Sequence, residues 1–527
     1  MQNLKETAPS RHIWWLPVAV AVIAASATTV IDFDIWWHMK TGELIWLWKM
    51  IPTADIFSYS AAGAPWVNHE WGYQMIVWGL FEKFGFAALT AIKVILTTGV
   101  VLCFYRTIQP LFRSKGVAMW IVMVLLISIA DRITDRPSLF TTFFIALFCM
   151  EFHRFVRGEG RPLWLLPIIQ VFWINLHGGG MLGPQIALAF AAGESLQHLF
   201  GGECLEWRRL RLLWIVALSL GAAALINPQG IDAFLFPLKH LKMDAILTFT
   251  QEWLPPLDAR LDAIISQIAF RLILVATLLS FVINRNQARF SHLILTAFSC
   301  LMVTKGRRFT ADFVLMNLPI LIVNLRGMAG KIRWAPEEKN TRQWLSLTAL
   351  IALSSALIIN GYPATLRGGT CGDLGFGTNA TFAPEKMVDF IEENGIRGRM
   401  FNEMGLGGYL IWRLWPGSRV FMDGRTPVYG DDLYREFVGA FQLGRNFEEL
   451  DQKWQFDYLL FKADSAWNLR HVHQYLWGSK KWRLVYAGPD DGFIYVKDEP
   501  LFRDLISRHA LKEHPLLEYM KRVEKIP

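Results

Sequence analysis

Residues 13–42 read IWWLPVAVAVIAASATTV followed by IDFDIWWHMKTG, an apolar run that ends in an acidic segment rich in tryptophan. The run, 13–30, follows Lys5 and Arg11, carries no charge and is long enough to cross a hydrocarbon core. We interpret it as a membrane span. A signal peptide cleaved near Ala25-Ser26-Ala27 is the alternative. On either interpretation the acidic segment emerges on the outer side of a membrane.

The composition of the whole chain supports a membrane protein. Of 527 residues, 53% are hydrophobic and only 19% are charged, which excludes an ordinary soluble enzyme. The 23 Trp and 37 Phe exclude a disordered chain. The net charge of +8 comes from short basic clusters between apolar runs, a pattern typical of cytoplasmic loops and not of a nucleic-acid-binding face. The five cysteines lack the spacing of a zinc site or a disulfide framework.

Apolar runs along the chain predict about eleven transmembrane helices. The segment 72–83 is too short to cross and is interpreted as a helix at the outer interface. The predicted spans are 13–30, 86–105, 117–130, 138–153, 162–176, 181–200, 212–226, 266–284, 290–304, 311–325 and 343–360.

Basic residues in the short loops test this count. With the N-terminus inside, every inner loop carries at least two positive charges, as the positive-inside rule requires. A crossing at 72–83 would reverse this bias. We therefore expect a multi-pass protein of a bacterial inner or plasma membrane, with its N-terminus in the cytoplasm and its C-terminus outside. The inner basic residues are Arg106, Arg113, Lys115, Arg154, Arg157, Arg161, Arg208, Arg209, Arg211, Arg285, Arg289, Arg326, Lys331 and Arg333.

The sequence changes character after residue 361, where charged residues and glycine become frequent. We predict a transmembrane domain over 1–361 and an extracytoplasmic soluble α/β domain over 362–527. The predicted elements of the second domain are a helix at Pro384–Asn394, strands at Arg399–Phe401, Arg419–Met422 and Tyr458–Phe461, and a hairpin of Trp482–Tyr486 and Gly492–Val496 around Asp490-Asp491-Gly492.

The first outer loop, 31–71, carries the strongest candidates for catalysis. Asp32 and Asp34 directly follow the first span, and Glu70 lies at the other end of the loop. Their carboxylates can accept a proton, and Asp34 and Glu70 can bind a divalent cation such as Mg²⁺ or Mn²⁺. An interfacial or helix-capping role is the alternative for these acids.

The aromatic and histidine side chains of this loop extend the candidate site. Trp36 and Trp37 can hold an acyl chain or a sugar face, or they form part of an interfacial aromatic belt. The predicted substrate-binding residues here are His38 and His69.

A basic cluster late in the membrane domain is the candidate phosphate site. Lys305, Arg307 and Arg308 lie on the outer side, against the positive-inside trend, and guanidinium groups bind phosphate oxygens. His177, before a triple glycine, can also donate to a phosphate. A headgroup anchor and a simple helix break are the respective alternatives. Asp131-Arg132 and Asp135-Arg136 on the same side are interpreted as mutual ion pairs.

These features together resemble the GT-C superfamily of integral-membrane glycosyltransferases, which use sugars linked to polyprenyl phosphate or pyrophosphate. The resemblance covers the first span, the acidic first loop, the multi-span architecture and the outer C-terminal domain. The segments DIWWHMKTG (34–42), WVNHEW (66–71), GGYLIW (407–412) and VFMDGR (420–425) are similar to a poorly characterised bacterial group of that superfamily.

The resemblance implies that Asp34 is catalytic, since an acid of the first loop is catalytic in that superfamily. The chain lacks the Trp-Trp-Asp motif with which oligosaccharyltransferases read a sequon, and this argues against transfer to Asn-X-Ser/Thr. Asp423-Gly424-Arg425 is interpreted as a turn with Arg425 in an ion pair. The alternative is that Arg425 or Tyr429 is presented to an acceptor.

The predicted function is transfer of a sugar from a polyprenyl-(pyro)phosphate donor to a lipid, glycan or protein acceptor on the outer face. Asp34 would be general base or metal ligand, with Asp32, His38 and Glu70 in support. Two alternatives stay open: an enzyme like an O-antigen ligase or polysaccharide polymerase, and a non-enzymatic transporter or flippase. A transporter would carry ionisable residues near span centres, where the sequence offers only Lys93 and Arg271, both expected to snorkel.

Overall fold

A computed structural model gives the structure of the chain. It describes residues 9–10, 12–112, 114–159, 163–201, 203–329, 340–359, 373–378, 382–441, 444–489 and 491–517. Arg113, Arg161, Lys331, Arg333, Cys371, Asp490 and the predicted domain boundary at 361/362 lie outside these ranges.

The described chain is mostly helical up to residue 359. In chain order the α-helices of this part are α1 (Trp15–Ser26), α2 (Ile35–Trp48), α3 (Trp71–Phe84), α4 (Phe86–Ile108), α5 (Lys115–Ser128), α6 (Ser138–Val156), α7 (Leu166–Leu176), α8 (Leu182–Phe200), α9 (Trp207–Ala223), α10 (Ile231–His240), α11 (Asp244–Phe249), α12 (Ile265–Ile283), α13 (Phe290–Val303), α14 (Thr310–Ala329) and α15 (Asn340–Ile359).

Each of the eleven predicted spans overlaps one of these helices, and the predicted interfacial segment 72–83 corresponds to α3. Four helical stretches of the described chain are long and apolar enough to cross a membrane: Phe86–Leu111, Ser138–Val156, Ile265–Ile283 and Arg307–Arg326. Four further apolar helices are shorter, at Trp15–Ser26, Lys115–Ser128, Leu163–Leu176 and Phe290–Val303. The predicted class, a helical polytopic membrane protein, is confirmed.

The chain divides into two compact units. Unit 1 comprises 1–29, 85–237 and 250–376, and unit 2 comprises 30–84, 238–249 and 377–527. Within unit 1, hydroxyl groups on the helices donate to the carbonyl one turn earlier, as Thr97 does to Lys93 and Thr277 to Ile273. These bonds satisfy polar side chains where water is absent.

Polar side chains also join neighbouring helices of unit 1. Asn317 of α14 donates to the Ser299 hydroxyl of α13 at 2.7 Å and accepts from Thr296 at 2.6 Å. Arg289 binds the fully buried carboxylate of Glu194 with two nitrogens, and Ser291 donates to the same carboxylate at 2.7 Å. Such bonds between helices stabilise packing in an apolar environment.

Lys93 corrects one expectation for the membrane domain. It is 1% exposed and does not snorkel: its Nζ lies 3.0 Å from Asp135 Oδ2 and 3.1 Å from the carbonyl of Thr28. Arg271, in contrast, reaches past the end of α12 to bind Asp262 at 2.6 Å. A buried lysine can remain in this position because a carboxylate and a carbonyl replace its water.

Unit 2 contains a four-stranded sheet of order β1-β2-β4-β3. β1 pairs with β2 in parallel, and the other two pairs are antiparallel. The strands are β1 (Met400–Asn402), β2 (Tyr458–Lys462), β3 (Trp482–Gly488) and β4 (Gly492–Lys497), and the helices are α16 (Glu385–Glu393), α17 (Met404–Leu414), α18 (Thr426–Ala440), α19 (Gly444–Trp454), α20 (Arg470–Gly478) and α21 (Arg503–His509).

Most predictions for this part are confirmed. The helix at 384–394, the strands near 400 and 458 and the closing hairpin are all present. The predicted strand Arg419–Met422 is wrong, because Val420 makes only an isolated bridge to Ser58. This short apolar run pairs with the first loop instead of entering the sheet.

The first loop and the C-terminal segment fold together as unit 2. Helix α2 packs against α17, and Tyr59 donates through its hydroxyl to the carbonyl of Met400 at 2.8 Å. The indole of Trp415 donates to the carbonyl of Ile56 at 3.1 Å. Residues that are far apart in sequence, such as Asp34 and Arg425, therefore belong to one compact body.

Candidate functional site

The two aspartates of the first loop occupy the start of α2. Asp34 is the N-cap residue and is half-buried, and the Trp37 indole donates to its Oδ1 at 3.1 Å. Asp32 is 4% exposed, and its Oδ1 accepts from the main-chain N–H of Asp34 at 2.7 Å. Asp32 thus fixes the backbone before α2, while the carboxylate of Asp34 is partly open to solvent.

His38 connects Asp34 to Glu70. The ring of His38 stacks on the Trp37 indole with centroids 3.6 Å apart, and its Nε2 lies 3.9 Å from Glu70 Oε2. Nε2 of His69 lies 3.7 Å from the other oxygen of Glu70. The structure therefore brings the predicted residues Asp34, His38, His69 and Glu70 into one continuous set of contacts within unit 2.

A reciprocal amide pair holds the end of the loop. Asn68 and Gln74 donate to each other's carbonyl oxygens at 2.9 and 2.7 Å, and both side chains are buried. Two hydrogen bonds that are satisfied out of water keep Glu70 at the start of α3 in a defined position.

Trp36 and Trp37 do not form an interfacial aromatic belt or an open platform. They are 3% and 5% exposed. Trp36 donates to the carbonyl of Phe382 at 2.7 Å and packs edge-on against Tyr409. The C-terminal segment covers these rings within unit 2. The two interpretations of Trp36 and Trp37, as a surface that holds an acyl chain or a sugar and as part of an interfacial aromatic belt, are therefore wrong.

Asp423-Gly424-Arg425 forms the predicted turn with Arg425 in ion pairs. Arg425 is 3% exposed and binds Asp423 through Nε at 2.9 Å and Nη2 at 2.6 Å. The same Nη2 lies 2.7 Å from Asp55 Oδ1. Burial by itself lowers the pKa of Arg425, but Asp423 and Asp55 outweigh this and hold that pKa above its usual value.

Tyr429 completes this buried group. Its hydroxyl donates to Asp423 Oδ2 at 2.6 Å, and burial raises its pKa well above the usual value. Presentation of Arg425 or Tyr429 to an acceptor is therefore wrong, since both side chains are directed into the interior of unit 2.

A preformed metal centre is not found among the described residues, where no group of three or more His, Cys, Asp or Glu side chains is arranged to hold a metal ion. Asp34 is bonded to Trp37, and Glu70 lies beside two histidines. Mg²⁺ is commonly bound by one or two carboxylates together with waters and substrate phosphates, and Asp34 and Glu70 are the residues that would supply these carboxylates here.

The basic cluster belongs to unit 1, and its two arginines are ion-paired. Arg307, in a 3₁₀ turn before α14, binds Asp131 Oδ2 through Nη2 at 3.1 Å. Ser266 and Gln267 also donate to Asp131, at 2.9 and 2.8 Å. The sequence predicted a pair of Asp131 with Arg132, and this prediction is wrong. Arg132 Nη2 lies 3.6 Å from Asp312 Oδ2 instead.

Arg308 lies over the ring of Trp253, with its guanidinium carbon 4.5 Å from the ring centroid. It lies 4.0 Å from Glu252, which also forms an ion pair with Arg136. The Arg136 guanidinium, with Arg308 in support, lowers the pKa of Glu252 to about 2. Arg136 therefore pairs with Glu252, and the carboxylate of Asp135 pairs with Lys93.

Lys305 is exposed and forms no ion pair with a carboxylate of the described chain. His177 has a defined tautomer when neutral. Its Nδ1 accepts from the main-chain N–H of Gly179 at 3.0 Å and contacts the Thr141 hydroxyl at 2.8 Å. The proton of the neutral ring is therefore on Nε2, which makes His177 a hydrogen-bond donor suited to a phosphate oxygen.

Sequence reasoning missed Glu403, which follows β1 in unit 2. One of its oxygens accepts from the Lys462 N–H and from the Ser465 hydroxyl, each at 2.7 Å. Burial raises the pKa of Glu403 to about 7. Lys462 in turn lies 3.8 Å from the ring centroid of Phe33, beside Asp34. The signal for Glu403, an acid at the carboxyl end of a strand, is too common to identify it.

Comparison with solved structures identifies a protein with a similar fold. No protein-family model matches the sequence, and no curated protein matches it significantly. The structure is similar to the crystal structure of the Archaeoglobus fulgidus oligosaccharyltransferase tethered to an acceptor peptide containing the NVT sequon. The TM-score is 0.53 at 13% sequence identity, over 93% of this chain and 74% of that chain.

Two further solved structures are similar over most of this chain. The oligosaccharyltransferase AglB of Archaeoglobus fulgidus, in complex with an inhibitory peptide and a dolichol-phosphate, gives a TM-score of 0.49 at 11% identity, over 92% of this chain and 74% of that chain. The mycobacterial arabinofuranosyltransferase AftD gives 0.47 at 13% identity, over 93% of this chain and 42% of that chain. The similarity to the tethered oligosaccharyltransferase confirms the predicted GT-C-like fold.

Proposed function

We propose that this protein is a membrane glycosyltransferase that moves a sugar from a polyprenyl-(pyro)phosphate donor to an acceptor on the outer face of the membrane. The observation that carries the proposal is the half-buried carboxylate of Asp34, bonded to Trp37 and backed by Asp32, in the acidic first loop. The fold shared with an oligosaccharyltransferase supports the reaction class.

The proposed reaction is a displacement at the anomeric carbon of the donor sugar. The acceptor oxygen or nitrogen forms a bond to this carbon, the bond from the carbon to the phosphate oxygen breaks, and the lipid (pyro)phosphate leaves with the electron pair. The acceptor proton passes to the carboxylate of Asp34, which acts as general base. His38 and Glu70, connected to Asp34 through Trp37, support this carboxylate.

We assign binding of the donor phosphate to the basic residues of unit 1. Lys305 offers an exposed ammonium, Arg307 and Arg308 offer guanidinium groups, and His177 offers a neutral N–H. Asp131 and Glu252 neutralise part of this charge in the absence of substrate. The donor phosphate, with one negative charge as a phosphodiester or two as a pyrophosphate diester, binds by replacing these carboxylates as the partner of the arginines.

The acceptor class is proposed more broadly, as a lipid, a glycan or a protein. The similar oligosaccharyltransferase holds an acceptor peptide with a sequon. This chain lacks the Trp-Trp-Asp motif, which favours an acceptor other than Asn-X-Ser/Thr. On the basis of the basic inner loops of the sequence, we also propose that the membrane is a bacterial inner or plasma membrane and that the C-terminal domain lies outside the cytoplasm.

The experiment is a comparison of cell-surface glycans by mass spectrometry. A strain with the gene deleted is complemented with the wild-type protein, with Asp34→Asn or with Asp432→Asn. Asp432 lies in the same unit but is fully exposed, so its change controls for loss of one negative charge. Membrane levels of all three proteins are measured by immunoblot.

We expect Asp34→Asn to accumulate normally and to lose one specific sugar, while Asp432→Asn retains it. The missing mass then identifies the sugar and its acceptor. Full complementation by Asp34→Asn would refute the role of Asp34 as catalytic base.

A further inference from the structure

The turn 423–425 lies directly against the carboxylate of Asp34. A methyl group built on the Cα of Gly424 would lie 1.7 Å from Asp34 Oδ1 and 2.8 Å from its Cγ. The space that a side chain at position 424 would occupy is therefore filled by the carboxylate. The backbone of Gly424 does not require glycine, since its φ lies outside the left-handed region.

Arg425 fixes the turn that carries Gly424. Its guanidinium and main-chain N–H both bind the carboxylate of Asp423, three hydrogen bonds that determine the conformation of residues 423–425. Asp55, from the first loop, binds the same guanidinium. Removal of this buried charge would leave two carboxylates without their partner.

Arg425 also reaches Asp34 by a second route. Its guanidinium carbon lies 4.7 Å from the ring centroid of Trp66, and Trp66 packs edge-on against Trp37 at 6.1 Å between centroids. Trp37 donates to Asp34 Oδ1. The contacts thus form a closed ring from Asp34 through Trp37, Trp66, Arg425 and Gly424 back to Asp34.

We propose that Gly424 and Arg425 are positioning residues for Asp34, and that the turn 423–425 is part of the active site. The turn limits the Asp34 carboxylate to one orientation, the one in which Trp37 donates to Oδ1. The requirement for glycine at 424 is steric and acts through Asp34, which supplies the three nearest atoms. The catalytic part of this inference rests on the proposed function, whereas the contact itself does not.

A double-mutant cycle separates this role from a purely structural one. Gly424→Ala and Asp34→Ala are made singly and together, and the melting temperature Tm of each purified protein is measured in detergent. Gly439→Ala is the control, since a methyl group there meets no atom within 4 Å. Product formation is followed with the glycan comparison described for Asp34→Asn.

We expect Gly424→Ala to lower Tm by about 3–5 °C when Asp34 is present. In the Asp34→Ala background, where the methyl group has room, the further change should be less than about 1 °C. Gly424→Ala should also reduce the glycan product about 10- to 100-fold at normal protein levels, because the carboxylate is displaced. Gly439→Ala should leave the glycan product unchanged and should not lower Tm, since alanine favours a helix more than glycine does.

An equal fall in Tm with and without Asp34 would overturn the inference, since the glycine would then serve only the fold. If Asp34→Asn complements fully but the two changes remain coupled in Tm, the contact stands and the proposed function fails. If Asp34→Asn loses the sugar but Gly424→Ala retains it fully, the function stands and the positioning role fails.

Discussion

Arg425 Nη2 lies 2.7 Å from Asp55 Oδ1, and both side chains are buried in unit 2. This ion pair joins the first loop to the segment after β1, over 370 positions of sequence. Phe57 and Trp66 cover the guanidinium, with their ring centroids 4.9 and 4.7 Å from its carbon. Exclusion of water strengthens such a pair and makes the loss of one partner costly.

We predict that Arg425→Met destabilises the protein by about 3–5 kcal/mol, because Asp55 and Asp423 are left as buried charges. The measurement is the melting temperature in detergent. Arg435→Met is the control: that side chain is 59% exposed and pairs with Asp431 at the surface, where a pair contributes about 0–1 kcal/mol. A Tm for Arg425→Met equal to that of the control would contradict the prediction.

Lys93 and Asp135 should show strong coupling within unit 1. Both side chains are 2% exposed, so Lys93→Met removes a cation from beside the buried carboxylate of Asp135 and should cost about 3–5 kcal/mol. The double variant Lys93→Met/Asp135→Leu should recover most of this loss, because no buried charge remains. A double-mutant cycle in thermal stability measures the coupling. Additive effects of the two changes would exclude a direct pair.

Glu403 should give the protein a pH-dependent stability near neutrality. Its pKa is raised from 4.5 to about 7, so the folded state binds the proton more tightly than the unfolded state. The stabilisation is therefore fully present below about pH 4.5 and is lost as the pH rises through 7. We expect the difference in Tm between pH 5 and pH 8 to become smaller in Glu403→Gln.

A matched change at Glu393 serves as the control for Glu403, since this residue of α16 is exposed. Glu393→Gln should retain the pH dependence of the wild type. If Glu403→Gln retains it as well, another group is responsible for the titration near neutrality.

Glu252 should compete with a phosphate for Arg136 and Arg308. Its carboxylate pairs with both arginines, and its low pKa keeps it ionised at neutral pH. Glu252→Gln should therefore tighten the binding of polyprenyl phosphate up to about fivefold, as expected for release of a partly exposed ion pair. Titration calorimetry in detergent measures the affinity, with the exposed Glu206→Gln as control.

Unchanged or weaker binding in Glu252→Gln would count against these arginines as the phosphate site. The effect should also decrease with added salt, because the interaction of charged groups near the surface is screened.

Much of the membrane part could be predicted from local patterns. Apolar runs longer than about 18 residues specify helices because the backbone must satisfy its own hydrogen bonds in lipid. The position of Asp34 just after the first span was equally visible. The ion-pair partners of Asp131, Arg136 and Lys93 could not be predicted from the sequence. A charge in an apolar environment pairs with the opposite charge that the packing of the helices brings near it.

In the C-terminal segment, too, some elements could be predicted from the sequence and others could not. Short apolar and aromatic runs between turn residues predicted β2 and the closing hairpin, and both faces of β2 and β4 are buried. The run Arg419–Met422 is also apolar after its first residue but makes only one bridge, to Ser58 of the first loop. Its partner lies far away in sequence, and no local propensity encodes that choice.

The sequence by itself determined the membrane-spanning class, the acidic first loop and the basic cluster, because hydrophobic length and charge are local properties. Only the tertiary structure decided that the loop 30–84 folds with the C-terminal segment as unit 2, and that Gly424 and Trp37 contact the carboxylate of Asp34. The physical reason is that side-chain orientation and burial depend on packing between distant segments, which the order of residues along the chain does not reveal.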